Sequence, residues 1–479
     1  MGHGVKVNEL ATVIKSPRTA EAGIQLVIGT APIHLVEDPQ AVVNVPVMCK
    51  DLNEAKAKLG YSKTEMEKFT LCQSMFWNFE IFRTSPVIFV NVLDPEKHVK
   101  EFSNEVDVSK NQIVVPEKNV LRKSVKVSNS GTDLEEGVDF ITSFDQDGQL
   151  LIAFLKEISG KLNISGKKID PEMVTYEDVI GGYDVSTGKE SGIQLIRRIY
   201  PMFGITAATI IAPGYSHIPA VGAALQIACE SINGVFRAEC ILDLDTDECR
   251  NPDQVETAKE DAVFNSIHAY VVWPMIQKDG IILYGSSNAA ALTQATDSKN
   301  GNIPNVSPSN KTAYISGAVL KDGTEVYLDF TQAETVNEAG VATYLNNQGW
   351  KLWGNYTAAY PDTKDPKDIF FSIRRFFTWH GNGFIKNYLV HCDDPTNEKL
   401  IDTIVDEENM VCNGYVSAGV CAGAGIELNR EKNTTDSLAS GKLYFLQKLT
   451  PYPPAQEIIN DLMYDPEALY NELGGGSDA

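Results

Sequence analysis

Apolar runs that alternate with helical patterns occupy two parts of the chain. In the first part, GIQLVIGTAP from Gly23 and PVIFVNVL ending at Leu93 lack polar alternation, as strands covered on both faces do. In the second part, three such runs, AATIIA, ECILDLD and HAYVVW, are preceded and separated by helical patterns over residues 193–200, 221–232 and 251–266. Because parallel strands need crossover helices, both parts together predict an α/β core.

Other patterns in the first 190 residues predict two helices and an insertion. One helix is capped by Asp51 and ends at Gly60, and an amphipathic helix covers residues 65–80. Over residues 97–189 the pattern changes to short alternating stretches such as QIVVPEKNVLRKSVKVSN, joined by turns rich in Gly, Asn and Asp. This change predicts a small antiparallel β unit that interrupts the core.

Residues 331–379 predict two helices with a Trp-rich turn between them. Apolar positions at roughly helical spacing predict a first helix that is capped at Gly349: Ala333, Val336, Ala339, Val341 and Leu345. Asp365 as N-cap and Pro366 in the first turn begin the second helix, which runs through Phe370 to Trp379. The predicted order of elements in this stretch is therefore helix, turn, helix.

The second of these helices should bury one face and offer positive charge on the other. Its apolar residues fall on one side: Ile369, Ile373, Phe376 and Phe377. Arg374 and Arg375 are adjacent, and the plainer interpretation is a solvated face. The sharper hypothesis is that Arg374, Arg375 and Lys386 face an acidic partner across an interface.

Composition narrows the class of protein. The 479 residues include 41 basic and 64 acidic ones, for a net charge of -23, so the surface should repel phosphate backbones and nucleic acid is not expected as a partner. The length favours two to four domains. The N-terminus lacks the apolar core of a signal peptide, and no run approaches the ~18 residues of a membrane span. We therefore expect a cytoplasmic protein without membrane insertion.

No cofactor or metal is expected from the motifs. The eight cysteines are dispersed without a C-x-x-C pair, which favours reduced, buried thiols. Asp243, Asp245 and Asp247 have the spacing of a calcium loop, but Glu248 stands where the loop needs glycine and Gln254 where it needs a bidentate glutamate. An acidic turn after a strand is the favoured interpretation. Nucleotide-binding glycine motifs are missing from the sequence.

One segment leaves an enzymatic alternative open. GSSNAAALTQA, residues 285–295, is loosely similar to the nucleophile segment of subtilisin-like proteases, with Ser287 at the serine position. A triad also needs a base and an orienting acid. His217 is the one histidine that the pattern supports as a base, and an acid in a D-[ST]-G turn on an early strand is missing. We favour a helix-start role for Ser287 and keep a serine hydrolase as the alternative function.

Three local signals follow one another in an order that identifies a family. They are E-A-x-x-x-x-x-L-N-x-x-G at residues 338–349, W-G-N-x-T at residues 353–357 and S-I-R-R at residues 372–375. Their order resembles the tail sheath proteins of contractile phage tails and related phage-tail-like bacteriocins. The resemblance covers nearly the whole chain and is weakest over the inserted β unit.

The resemblance implies a fold for each part of the chain. A subtilisin-like α/β core, interrupted by a β-sandwich-like insertion, would be followed by a C-terminal α+β domain with strand-exchanging terminal arms. The implied divisions are an N-terminal arm at 1–22, the core at 23–96 and 190–350, the insertion at 97–189 and the C-terminal sheath domain with its arm at 351–479. The fold class is thus α/β and α+β, with several domains.

The resemblance also implies a mechanical function. Subunits would polymerise as stacked hexameric rings around an inner tail tube protein, with baseplate and tail terminator proteins as further partners, and contract to drive the tube through a bacterial envelope. The particle would be assembled in the bacterial cytoplasm and released by lysis.

Two groups of residues receive roles from this resemblance. The inter-subunit arms would use apolar residues near both termini: Val5, Val7, Leu10, Ile458, Ile459 and Leu462. The weakly alternating strand pattern of residues 1–22 is otherwise typical of a frayed terminus. Arg374, Arg375 and Lys386 would face the tube.

Overall fold

The computed structural model describes residues 22–145 and 147–475. The first part of the core contributes three strands, β1 (Gln25–Gly29), β2 (Pro46–Cys49) and β3 (Val87–Asn91), and two helices, α1 (Leu52–Leu59) and α2 (Leu71–Met75). Asp51 caps α1 by accepting a hydrogen bond from the Glu54 amide, as the sequence predicts. The helix expected over residues 65–80 is present only from Leu71, as α2 and the π-helical turn Phe76–Phe82. It is not amphipathic as expected, because residues 71–78 are all buried against the sheet and α7, introduced below.

Between the two parts of the core lie two small antiparallel sheets. Their strands, with a following hairpin, are β4 (Val99–Asp107), β5 (Gln112–Val114), β6 (Lys126–Asn129), β7 (Thr132–Leu134), β8 (Phe140–Phe144), β9 (Leu150–Phe154), β10 (Lys161–Ile169), β11 (Tyr183–Asp184) and β12 (Lys189–Glu190). The sheets have the strand orders β4-β10-β6-β7 and β5-β9-β8. They share a hydrophobic core of their own, which includes Phe140, Ile152 and Ile164. A short helix, α3 (Tyr176–Ile180), precedes the hairpin.

The chain then returns to the core. This part adds the strands β13 (Thr209–Ile211), β14 (Glu239–Asp243), β15 (Ala269–Val272), β16 (Met275–Lys278), β17 (Ile281–Leu283), β18 (Lys311–Thr312), β19 (Gly317–Val319), β20 (Val341–Asn346) and β21 (Trp350–Trp353). Its helices are α4 (Ile196–Phe203), α5 (Pro219–Glu230), α6 (Val255–Asp261), α7 (Gly285–Lys299) and α8 (Phe330–Glu338).

A nine-stranded sheet unites both parts of the core, in the order β18-β21-β20-β15-β14-β13-β1-β3-β2. The six strands from β20 to β3 run parallel, and antiparallel strands close both edges. The five strands that apolar runs predict are present, and their side chains are buried on both faces. The α/β core predicted from the pattern is confirmed.

The helix predicted to end at Gly349 is wrong in its second half. α8 stops at Glu338, Gly340 has a φ of 72°, and Val341 and Leu345 lie in strand β20. The residues after Gly340, VATYLN, are rich in β-branched and aromatic side chains that favour strands. Gly349 lies in the β20–β21 hairpin, where its φ is 109°.

The C-terminal region is built on two long helices and a hairpin. Its elements are α9 (Pro366–Ile369), α10 (Phe371–Tyr388), α11 (Glu398–Ser417), β22 (Cys421–Leu428), α12 (Thr435–Ala439), β23 (Phe445–Pro451) and α13 (Pro466–Tyr470). Asp365 and Pro366 begin α9 as predicted, but Phe370 is extended, so α10 starts anew at Phe371. A third hydrophobic cluster joins α10, α11 and β22. The whole is a mixed α/β protein of several sheets.

Other expectations have mixed outcomes. All eight cysteines are free, and seven of them are buried as predicted, whereas Cys392 is exposed in a turn after α10. Over the described residues, every helix is too short or too polar to cross a bilayer. The domain divisions at residues 22, 96, 189 and 350 stay a prediction.

Candidate functional site

The segment that could supply a nucleophile is tied into a buried polar cluster. Asp243, at the end of β14, is 3% exposed and accepts hydrogen bonds from the hydroxyls of Ser216 (2.8 Å) and Ser286 (2.5 Å). The Ser286 backbone amide donates to the same carboxylate at 2.8 Å. Burial raises the pKa of Asp243, and these donors act against that shift. Asp243 thus fastens the start of α7 to the central sheet.

Among the described residues, the Ser287 hydroxyl bonds to a backbone carbonyl and not to a catalytic base. This hydroxyl donates to the Tyr284 carbonyl at 2.7 Å, the local bond of a residue in the first turn of a helix. The His217 ring stacks on Tyr284 with centroids 5.8 Å apart, and burial lowers its pKa. Within the described part of the chain, no hydrogen bond joins His217 to Ser287. This geometry gives the hydrolase alternative no support.

The acidic turn after β14 is an ordinary surface turn. Asp247 pairs with Lys321 at 2.6 Å, and the Asp245 side chain accepts from the Asp247 amide at 2.9 Å. No group of metal-ligating side chains occurs in residues 22–145 and 147–475.

Arg375 is buried, which contradicts the prediction of a positively charged helix face. It is 2% exposed, and its guanidinium forms a two-pronged ion pair with Asp297 of α7, which is 0% exposed. Burial alone would lower the pKa of Arg375, but the Asp297 carboxylate outweighs it and raises that pKa. The ring of Phe371 lies 5.6 Å from the same guanidinium. Arg375 therefore anchors α10 to the core.

Arg374 is also withdrawn from solvent. Its Nη1 donates to Asp368 Oδ1 at 2.9 Å, and both residues are buried. The predicted solvated face is therefore wrong for both arginines, because each has a carboxylate within the chain. Lys386 lies half-buried near the end of α10, and its contact with a tube stays a prediction.

Asp297 is the functional residue that sequence reasoning missed. Asp297 directly follows twelve uncharged residues, GSSNAAALTQAT, in helix α7. The residues of this helix are buried from Gly285 to Asp297. A lone carboxylate in such a helix signals a cationic partner, because an unpaired buried charge is costly. The signal indicates that a partner exists but does not say which basic residue it is.

A second buried network holds the C-terminal hairpin to its helices. His380 contacts Gln447 (Nε2 to Oε1, 2.9 Å) and the Tyr415 hydroxyl (3.2 Å). Gln447 and Tyr388 donate to the two oxygens of Glu408 at 3.1 and 3.0 Å. α10, α11 and β23 are thereby fixed to one another. Burial, with the Glu408 carboxylate beside it, raises the pKa of Tyr388.

The hairpin itself has open edges. β22 and β23 form a two-stranded antiparallel sheet, and over the described residues no third strand pairs with either. One face of β22 packs on α11, where the Asn409 amide side chain bonds to the Ile426 backbone. Unpaired strand edges are templates for strand addition.

Beyond the hairpin, the chain exposes a run of apolar side chains. Residues 452–465 have no regular secondary structure. Ile458 is 90%, Ile459 78% and Leu462 90% exposed, and Met463 and Tyr464 follow in the same state. Val5, Val7 and Leu10 lie outside the described residues. A run of apolar residues this exposed is typical of a segment that is covered by a partner.

Comparison with known sequences places the whole chain alongside proteins of one kind. No family model matches the sequence. The chain is 23% identical over 491 residues to the tail sheath protein of Burkholderia phage BcepMu, covering 99% of this chain and 98% of that protein. It is 24% identical over 298 residues to the tail sheath protein of Escherichia phage P2, covering 59% and 69%.

Solved structures share the fold over nearly the full length. The baseplate structure of the anti-feeding prophage (AFP) contains a chain with a TM-score of 0.59 at 13% identity, covering 97% of this chain and 99% of that one. The AFP helical sheath in its contracted state gives 0.58 at 14% identity, covering 96% and 99%. The contracted sheath complex of the extracellular contractile injection system PVC also gives 0.58, at 12% identity, covering 98% and 99%.

Proposed function

We infer that this chain, a member of the contractile tail sheath family, is a structural sheath subunit of a phage tail or a tail-like particle. The likeness to tail sheath proteins extends over essentially the whole chain, so it includes the core, the insertion and the C-terminal region together. Sheath assemblies are built from many copies of one subunit. The chain's own surfaces must therefore provide the contacts between copies.

The observation that carries the mode of assembly is the exposed apolar run at residues 458–464. It follows a hairpin with open edges in a body that otherwise buries three well-formed cores. We assign Ile458, Ile459 and Leu462 to an arm that adds to the open hairpin of a neighbouring subunit. Residues 1–22, with Val5, Val7 and Leu10, would form the second arm.

Energetics require side-chain burial in such an arm. Each backbone hydrogen bond contributes about 1 kcal/mol net, whereas ordering a residue costs about 1–2 kcal/mol. Burying a Leu or Ile side chain contributes roughly 1.5–3 kcal/mol, so three such residues supply the difference. Many linked copies add avidity.

This architecture supports a mechanical function without chemical fuel. Arms swapped at both ends would keep subunits linked while the surfaces of rigid domains repack, so that stacked hexameric rings around an inner tube pass from an extended to a contracted state. Baseplate and tail terminator proteins would close the two ends of the sheath. Assembly in the bacterial cytoplasm and release by lysis complete the proposal, and catalysis has no part in it.

Negative-stain electron microscopy of the purified full-length protein tests this proposal. We expect hollow striated cylinders from the wild-type chain at raised concentration and none from the I458D/I459D/L462D variant, whose charged arm would have to be buried. V185D is the matched control, because Val185 is an 85% exposed apolar residue outside the arm, and it should form normal cylinders. A deletion of residues 1–15 should behave like the arm variant.

Folding must be checked separately from assembly. Circular dichroism spectra of all variants should match the wild type, since every altered side chain in the described region is exposed. Cylinders of normal length from the arm variant would contradict the arm hypothesis. A soluble, monodisperse wild-type monomer even with an added tube protein would contradict the sheath function.

A further inference from the structure

A groove on the core domain has the chemistry of a docking site. It lies between the end of α7 and strand β18, with a cavity volume of about 390 Å³, within the range of about 300–1,000 Å³ that ligand sites occupy. Its apolar lining includes Phe82, Leu292, Val306 and Tyr314, and Lys299 and Lys311 stand beside them. Phe82 and Tyr314 meet edge to face, with ring centroids 5.6 Å apart.

The groove is positively charged in a strongly acidic molecule. Lys299 and Lys311 are exposed, and neither forms an ion pair within the described residues. None of the described residues that line the groove is acidic, although the chain as a whole carries a net charge of -23. β18 is also the outermost strand of the central sheet, so its backbone edge is open. The groove thus fits an acidic segment with apolar side chains.

The end of the chain is such a segment. From Asp461 onwards the sequence contains five acidic residues and no basic one. α13 and the turn after it expose Leu469, Tyr470 and Leu473, of which the first and last are four residues apart and share a helix face. Asp465 and Glu472, four positions before and three after Leu469, lie beside this apolar face. The segment offers apolar side chains for the floor of the groove and carboxylates for its two lysines.

The path of the chain brings this segment close to a groove but leaves it unburied. The Asn355 side chain bonds both to Gln456 (2.7 Å) and to Ser307, which is next to Val306 of the groove lining. The described part of the tail nevertheless lies outside the groove of its own chain, since Leu469 and Leu473 stay exposed. Ten residues separate Gln456 from Pro466, and an extended chain of that length spans at most about 36 Å. This reach includes the groove of the same chain, so it is the exposure of Leu469 and Leu473 that favours a neighbouring copy as the partner.

We propose that the groove between α7 and β18 binds the acidic terminal helix, residues 466–473, of a second copy of this chain. The contact would be separate from the strand exchange at the β22–β23 hairpin, and it rests on the proposed function only in that it joins subunits of one assembly. It would be weakened by salt, because its ion pairs lie at an exposed rim.

Peptide binding tests the groove without requiring assembly. A fluorescein-labelled peptide of residues 464–479 is titrated with the full-length protein, and its anisotropy is followed. We expect the K299E/K311E variant to bind at least tenfold more weakly than the wild type, and the E472K peptide to recover part of that loss. K123E/K126E, which reverses two exposed lysines on the insertion, is the control with the same net charge and should bind like the wild type. Equal binding by the groove variant and this control would overturn the proposal.

Crosslinking identifies which copy is bound. A ¹⁵N-labelled chain carrying a photo-crosslinking amino acid at Leu473 is mixed with unlabelled wild-type chain, assembled and irradiated. Crosslinks from the labelled tail to unlabelled residues 292–314 support the proposal. Crosslinks confined to the same chain, or to the hairpin, overturn it. Groove-dependent peptide binding by a wild-type chain that forms no cylinders would support the groove and contradict the sheath function. Cylinders from a wild-type chain whose K299E/K311E variant binds the peptide equally well would support the sheath function and contradict the groove.

Discussion

At the scale of single residues, the buried Arg375–Asp297 pair shows that a charged side chain can serve as a packing anchor within the fold. On the sequence, Arg375 looks like part of a solvated stripe, but in the fold its guanidinium meets the carboxylate of a residue 78 positions earlier. The pair lies where α10 leaves the core for the C-terminal region. Its contribution is therefore to fix the position of α10, because the Arg375 side chain is only 2% exposed and is paired with Asp297.

Breaking this pair should be far more damaging than replacing it. R375M leaves the Asp297 carboxylate buried without a partner, and we expect the free energy of unfolding to fall by about 3–5 kcal/mol. The D297L/R375M double variant should recover most of this loss, because two apolar side chains need no desolvation of charge. Urea denaturation followed by fluorescence measures all three proteins.

The exposed pair Arg250–Asp322 provides the control for that cycle. Its side chains are 44% and 50% exposed, so R250M should cost only about 0–1 kcal/mol. A double variant as unstable as R375M would show that α10 needs the ion pair itself and would contradict this argument.

At the scale of elements, the transition at Gly340 shows what periodicity could and could not predict. Residues 333–345 satisfy a helical spacing, yet the chain turns into a strand after α8. The turn depends on Gly340, whose φ of 72° suits glycine and whose missing side chain leaves room for the Tyr360 carbonyl. That close approach comes from a segment 20 residues later, so no local pattern contains it.

Substitutions at two glycines separate this contact from backbone strain. An alanine Cβ at Gly340 would lie 2.4 Å from the Tyr360 oxygen, whereas at Gly349, with φ 109°, it would meet nothing within 4 Å. We expect G349A to cost about 1–3 kcal/mol from backbone strain alone and G340A to cost clearly more. Thermal denaturation compares them. Equal losses would mean that the approach of Tyr360 does not constrain the turn.

The same distinction explains which parts of the fold were predictable. Strands such as Val87–Asn91 are buried on both faces, and an uninterrupted apolar run in the sequence predicts such burial. Caps such as Asp51 and Asp365 act within three residues of their partners and are equally visible. Ion pairs and the open hairpin depend on which distant segments meet, and local sequence patterns do not reveal that.

At the scale of the whole molecule, the inserted sheets look separable from the core that carries them. The first strand of the insertion, β4, pairs antiparallel with its last, β10, in a register that sets Val99 opposite Ile169. Opposite residues in such a pair lie about 4.5–5.5 Å apart, so the chain enters and leaves the insertion at one point. Its hydrophobic core is also distinct from that of the central sheet.

Excising the insertion should therefore leave a folded body. In a variant that joins Val99 to Ile169 through a short Gly/Ser linker, the central sheet keeps its strands and its hydrophobic core. The losses include the contact of His34 with Phe144, whose rings lie 5.8 Å apart, and the packing of Leu121 against the central core. Burial of one Phe or Leu side chain is worth roughly 1.5–3 kcal/mol. Because both Phe144 and Leu121 are removed, we expect the free energy of unfolding to fall by roughly 3–6 kcal/mol, with near-ultraviolet circular dichroism retained.

The F144A variant of the full chain removes the His34 contact without excision, although Phe144 also packs against the core of the insertion, and it should account for part of the change. An insoluble excised chain, or one without a cooperative transition beside a stable F144A protein, would mean that the sheets are needed to complete the core. Retained folding together with cylinder formation would locate the contacts between subunits in the core and the C-terminal region. The insertion would then be free to vary without loss of assembly, which agrees with the resemblance being weakest there.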